Sequence, residues 1–132
     1  MRLESHLGSG DRSRQTEAVD FAGRWKNQHG SEMQLRVGPG GRLMGTYHTA
    51  VGAPSPKQEF ELTGFTCGDL VAFTVNFGRF GSLTAWTGQH TRADGAERIQ
   101  TLWHLAKNIP AADEPRALWA GVLAGADTFE RA

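Results

Sequence analysis

At 132 residues, 39% of them apolar, the chain is long enough to bury one hydrophobic core but not two, so one domain is expected. Fourteen Lys and Arg balance fourteen Asp and Glu, which leaves no net field to attract nucleic acid or an anionic membrane and makes a small neutral partner the better expectation. The single cysteine, Cys67, excludes an intramolecular disulfide and a thiolate metal cluster, and reads as a small half-buried hydrophobe.

No apolar stretch approaches the ~20 residues needed to cross a bilayer, and no signal-peptide core follows a basic start. Residues 1–20 mix charge, Ser, Gly and Gln with few apolar residues and no helical stripe, which reads as a flexible N-terminal tail preceding one domain over 21–132. From Phe21 onward, short segments of strand-like alternation are separated by turn signals: GPGG at Gly38 to Gly41, VGAPSP, CGD, GRFG and ADG. Eight strands are predicted: Gly23–Gln28, Glu32–Val37, Arg42–Ala50, Glu59–Thr66, Asp69–Asn76, Ser82–Thr91, Glu97–Lys107 and Gly121–Glu130. Asp113 to Ala120, which opens with acid and Pro, reads as a short helical turn before the last strand. The pattern is all-β and antiparallel up-and-down, closed as a barrel or stacked as a sandwich, and eight strands suffice for a small barrel around one ligand.

Alternation then divides each strand into two faces. With the aromatic parity inward, the first strand turns Phe21, Trp25 and Asn27 in, and the second Ser31, Met33, Leu35 and Val37. The third gives Leu43, Gly45, Tyr47, Thr49 and Val51; the fifth Val71, Phe73, Val75 and Phe77; the sixth Ser82, Thr84 and Trp86. The seventh gives Ile99, Thr101, Trp103 and Leu105, and the eighth Leu123, Gly125, Asp127 and Phe129. Asn27, Ser31, Tyr47, Thr49, Ser82, Thr84 and Asp127 thus project inward beside Phe77, Trp86 and Trp103.

A sealed core does not tolerate that set, because each unpartnered buried polar group costs about 1–3 kcal/mol. An apolar pocket with a few placed polar groups is the usual make-up of a small-molecule site. The competing explanation is the opposite parity, which makes several of these residues ordinary solvent-facing ones. The outward parity is itself apolar on the later strands, at Leu70, Ala72, Leu83, Ala85, Leu102, Val122, Ala124 and Ala126, so the outer surface is expected to be covered by another copy of the chain. His48, His90 and His104 fall on outward parity and read as interface or solvent residues.

The blocks GRWKNQHGS, GTYHTAVG, SLTAWTGQ, ERIQTLW and LWAGVLAGADTF, in this order and spacing from Gly23 to Phe129, resemble the avidin and streptavidin family. The resemblance implies a non-enzymatic eight-stranded antiparallel up-and-down β-barrel that binds biotin as its ligand, with no cofactor and no metal. It implies Asn27, Ser31 and Tyr47 donating to the ureido oxygen, and Thr49 and Asp127 facing the ureido N–H groups. It further implies Thr84 at the thioether sulfur, and Ser82 with the main-chain N–H of Ala53 at the valerate carboxylate. Phe77, Trp86 and Trp103 become the walls, Val51 and Leu105 complete the apolar lining, and Trp119 reaches into a neighbouring subunit's site. The implied partners are biotin and further copies of the chain, a tetramer before a dimer, with no nucleic acid and no membrane; the implied location is secreted or periplasmic.

The chain departs from the family pattern at Phe77, where an indole is common, and at His29, often a smaller or apolar residue. The loop Val51 to Glu59 carries two prolines and lacks a cysteine found in some dimeric members. A lipocalin-like carrier or a protease-inhibiting barrel is the alternative, expected to have a greasier interior. Catalysis is disfavoured, since no two histidines stand at metal-ligand spacing and no nucleophile elbow, phosphate loop or paired-carboxylate motif is present.

Overall fold

A computed structural model describes residues 2–7, 19–50 and 58–132. Eight strands follow one another in chain order: β1 (Gly23–Asn27), β2 (Glu32–Val37), β3 (Arg42–His48), β4 (Phe60–Cys67), β5 (Leu70–Phe77), β6 (Ser82–Ala93), β7 (Ala96–Lys107) and β8 (Val122–Arg131). Every strand is antiparallel to its sequence neighbours, and β1 pairs with β8 through Trp25↔Arg131, Lys26↔Glu130 and Asn27↔Phe129. The sheet is therefore a closed barrel and not a sandwich, and closure pairs the first strand with the last.

The predicted boundaries agree to within two residues. The predicted helical turn is one turn of helix, α1 (Glu114–Ala117), running into a 3-10 turn at Leu118–Gly121. In the N-terminal segment a 3-10 turn forms at Leu3–His6, where no regular element is expected from the sequence. Most of that segment lies outside the described residues, as do Val51 and Ala53. The β6–β7 hairpin is closed by Asp94 and Gly95 alone, at φ 54° and 77°, the positive values that a two-residue turn matched to strand twist demands.

Alternation delivers the core. Along β5 exposed and buried residues alternate, so that Val71, Phe73 and Val75 point in while Leu70, Ala72 and Thr74 point out. Trp25, Phe21, Phe60, Phe129, Met33, Leu35, Leu43, Leu62 and Ile99 are fully buried between the strands. Two inward-parity residues, Val37 and Leu123, are 42% and 46% exposed, because each lies near a strand end, Val37 beside the β2–β3 turn and Leu123 at the mouth. Cys67, expected to be half buried, is exposed at the end of β4.

One end of the barrel is sealed. The Trp25 indole donates to the Phe21 carbonyl (2.9 Å), and the Arg131 guanidinium lies 4.0 Å above its ring. Arg131 also donates to the carbonyl of Ala22 and holds the Glu97 carboxylate at 2.9 and 3.1 Å. His90 corrects the outward assignment: its side chain is 8% exposed, meets Phe21 and Trp25 edge to face, and contacts Glu97 at 2.8 Å. The physical reason is that β6 continues to Ala93 without a break in alternation, so His90 shares the face of Thr84 and Trp86. His104 is exposed and His48 half-buried, in keeping with outward parity.

The outer wall is apolar as expected, with Leu70, Leu83 and Leu102 at 51%, 50% and 63% exposure.

Candidate functional site

Opposite the sealed floor, the barrel interior holds a cavity of about 290 Å³, close to the lower end of small-ligand sites. Asn27, Ser31, Tyr47, Thr49, Thr84 and Asp127 contribute its polar lining, and Phe77, Trp86, Trp103 and Leu105 its apolar lining.

Asn27 closes β1, and its side-chain oxygen accepts from the main-chain N–H groups of His29 (3.0 Å) and Ser31 (2.9 Å). This local turn fixes the amide so that its NH₂ is the group left to donate, with the Tyr47 hydroxyl 3.4 Å away. The Ser31 oxygen accepts from the main-chain N–H of Ala50 (3.0 Å), so its hydroxyl proton is the part that donates toward Tyr47 and the cavity. Tyr47 is 4% exposed. Burial, reinforced by the charge of Asp127 and opposed by a hydrogen bond with Ser31, pushes its phenol up to about 12, so it remains a donor at neutral pH. Three donors thus gather at one end of the cavity.

Asp127, on β8, supplies the acceptor. Its Oδ2 accepts from the Trp86 indole (2.8 Å) and its Oδ1 from Gln28 Nε2 (3.0 Å). Gln28 is itself anchored, since its Nε2 also donates to the Ala126 carbonyl and its Oε1 accepts from the main-chain N–H of Thr128. The carboxylate is therefore held in one orientation, with further lone pairs to offer an N–H. Across the cavity, the buried Thr84 Oγ1 has no hydrogen-bond partner among the described residues, a deficit of about 1–3 kcal/mol that a ligand atom can relieve.

The aromatic walls are braced from behind. Trp86 stacks on Phe73 with centroids 5.1 Å apart, and Tyr47 lies 5.2 Å from Trp86. Phe77 packs on Phe60 at 4.7 Å. Trp103 lies over Gly125, its cross-strand partner, where a Cβ would collide with the indole ring.

The structure thus brings ten of the sequence-predicted residues to one cavity. Ser82 is not among them; it borders a separate rim groove one rung nearer the mouth. Trp119 is 82% exposed on the turn before β8 and does not line its own chain's cavity. Three contributors are not among the site residues predicted from the sequence, and one of them, Ala126, lines the cavity although its parity is outward. His29 lines the cavity from the β1–β2 turn, and its place two residues after Asn27 is the available signal. Gln28 follows inward Asn27 and so has outward parity; its reach to Asp127 across the β1–β8 seam leaves no trace in the pattern.

A profile of the Avidin family matches residues 15–132. Among solved structures, xenavidin is 31% identical, with a TM-score of 0.74 over 88% of this chain and 100% of that one. Rhizavidin in complex with biotin is 29% identical, with a TM-score of 0.71 over 86% of this chain and 97% of that one. Apo shwanavidin, at 24% identity and a TM-score of 0.71 over 86% of this chain and 100% of that one, shares the fold.

Proposed function

The chain belongs to the avidin family, and from that membership we propose that its barrel binds biotin, non-covalently and with high affinity, in the cavity between Asn27 and Asp127. As a member of this family it is a binding protein and not an enzyme. The observation that carries the biotin reading is the convergence of Asn27, Ser31 and Tyr47 as donors, facing a clamped Asp127 acceptor and the unpartnered Thr84 hydroxyl. A cyclic urea has the complementary layout, one carbonyl oxygen flanked by two N–H groups.

In the proposed pose the ureido oxygen meets Asn27, Ser31 and Tyr47, and its N–H groups meet Thr49 and Asp127. The thioether lies at Thr84, and the valerate chain runs out between Phe77, Trp86, Trp103 and Leu105 toward Ser82. Val51 and Ala53 complete the apolar lining and the carboxylate site, and Trp119 serves a neighbouring subunit's cavity within a tetramer secreted or exported to the periplasm. High affinity follows from preorganisation: the donors, the acceptor and the walls are already fixed by the hydrogen bonds and ring packing described above, so little ordering cost offsets the favourable interactions with the ligand. A carrier of a purely apolar ligand fits less well, because five polar groups at one end of its cavity then lose water without compensation.

Thermal melting with and without biotin tests the reading, since a ligand of the native state alone raises the melting temperature with concentration. A melting temperature unmoved by saturating biotin contradicts it.

A further inference from the structure

We propose that Lys107 is a specificity-determining residue at the mouth of the cavity, selecting ligands that end in a free carboxylate over those whose acid is masked as a neutral amide; this rests on the biotin reading above. The β6–β7 ladder climbs the barrel wall as Trp86↔Trp103, Thr84↔Leu105 and Ser82↔Lys107. The first two rungs line the cavity. The third, about 7 Å further along the strands, continues the same alternation and places a lysine on the inward register where β7 ends.

That rung borders a separate rim groove of about 340 Å³, lined by Ser82, Lys107, Asn108 and two glycines and reaching over the outward-facing Leu83 and Ala106. Its main chain is fixed, since Asn108 N–H donates to the Gly81 carbonyl (2.9 Å) and Gly121 packs against the Lys107 carbonyl. The Lys107 side chain is exposed and has no acidic partner among the described residues. Arg24, Lys26, Arg92, Arg98 and Arg131, by contrast, each stand within 4.0 Å of a glutamate. Arg79, also at this rim, is committed elsewhere: it donates to the Glu59 carbonyl (2.9 Å) and lies 4.8 Å above the Phe60 ring. The Glu59 carboxylate is 3.5 Å from His48 Nε2.

A ligand whose head fills the deep end and whose tail passes between Thr84 and Leu105 emerges beside Ser82 and Lys107. A carboxylate there meets a hydroxyl donor and a mobile ammonium on a four-carbon stem. An amide meets the same hydroxyl but gains no Coulombic attraction. The advantage is modest because the pair is exposed, and it depends on salt.

Competition titrations of biotin against its primary amide, on the intact protein, test the assignment. The wild type is expected to prefer the acid by about two- to fivefold at low salt, the factor an exposed ion pair supplies. The preference should shrink toward parity at ~1 M salt, where the Debye length is about 3 Å. Lys107→Ala is expected to bring the ratio near one at low salt, and K107E to reverse it. A wild-type ratio near one, or a preference that K107A leaves intact, overturns the role of Lys107 while the biotin reading stands. Failure of both ligands to bind the wild type overturns the reading itself.

Discussion

The Trp86 indole nitrogen donates to the Asp127 carboxylate at 2.8 Å, joining an aromatic wall of the cavity to the acidic group that lines it. One contact therefore orients both the ring that packs against a ligand and the acceptor that recognises it. Gln28 completes the hold from the opposite oxygen, at 3.0 Å. Asp127 is 7% exposed, and any group that it recognises there is recognised largely out of water.

Asp127→Ala should therefore weaken biotin by about a hundredfold or more, since it removes a charge-assisted bond in a dry site and leaves the Trp86 N–H without its partner. Ser82→Ala, at the rim, should cost no more than about tenfold. Dissociation constants from tryptophan-fluorescence titration compare the two. Equal losses contradict the proposed pose.

Tyr47 gives a pH signature. With its phenol raised to about 12 against an ordinary value of 10.0, the folded chain keeps the proton when the unfolded chain has released it. Its contribution to stability is fully present below pH ~10 and is lost as pH rises toward 12. Tyr47→Phe should flatten that alkaline decline in denaturant titrations and weaken biotin by about tenfold, the worth of one neutral hydrogen bond. A wild-type decline unchanged in the variant contradicts this role for Tyr47.

Glu97 acts in the opposite sense at the sealed floor. The Arg131 guanidinium, with help from His90 and against partial burial, holds its carboxyl down at about 2. A depressed folded value gives stability that is present above the ordinary 4.5 and is lost as pH falls toward 2. Glu97→Gln should lower stability at pH 7 by about 1–3 kcal/mol and flatten the acid limb below pH 4.5. Chemical unfolding at pH 7 and pH 3 checks both parts.

Trp119, 82% exposed in the single chain, tests whether cavities are shared. If a neighbour's Trp119 covers each cavity, Trp119→Ala should raise the dissociation constant by at least tenfold and weaken subunit association together with it. Sedimentation run beside the titration reads both. Unchanged affinity means a self-contained cavity.

Most of the barrel is legible in the sequence because one rule, alternation interrupted by turn chemistry, governs every strand. The same rule finds Asn27, Tyr47 and Asp127, whose polarity stands out against inward aromatics. It misplaces what alternation does not encode. Val37 and Leu123 keep inward parity but sit near strand ends, and Ser82 lies one rung too near the mouth to share the main cavity. His90 is the exception: it lies within the predicted strand and shares the even-numbered inward parity of Ser82, Thr84 and Trp86, so its outward assignment departs from the alternation rule itself. Gln28 is invisible for a different reason: it reaches Asp127 across 99 residues of sequence through barrel closure, which no local pattern records.

The most direct measurement is isothermal titration of biotin into the purified protein at neutral pH. A barrel that binds biotin in this cavity predicts saturable binding with one biotin per chain and a negative heat-capacity change from burial of apolar surface. An absence of saturable heat at two temperatures, with the protein folded, would contradict it.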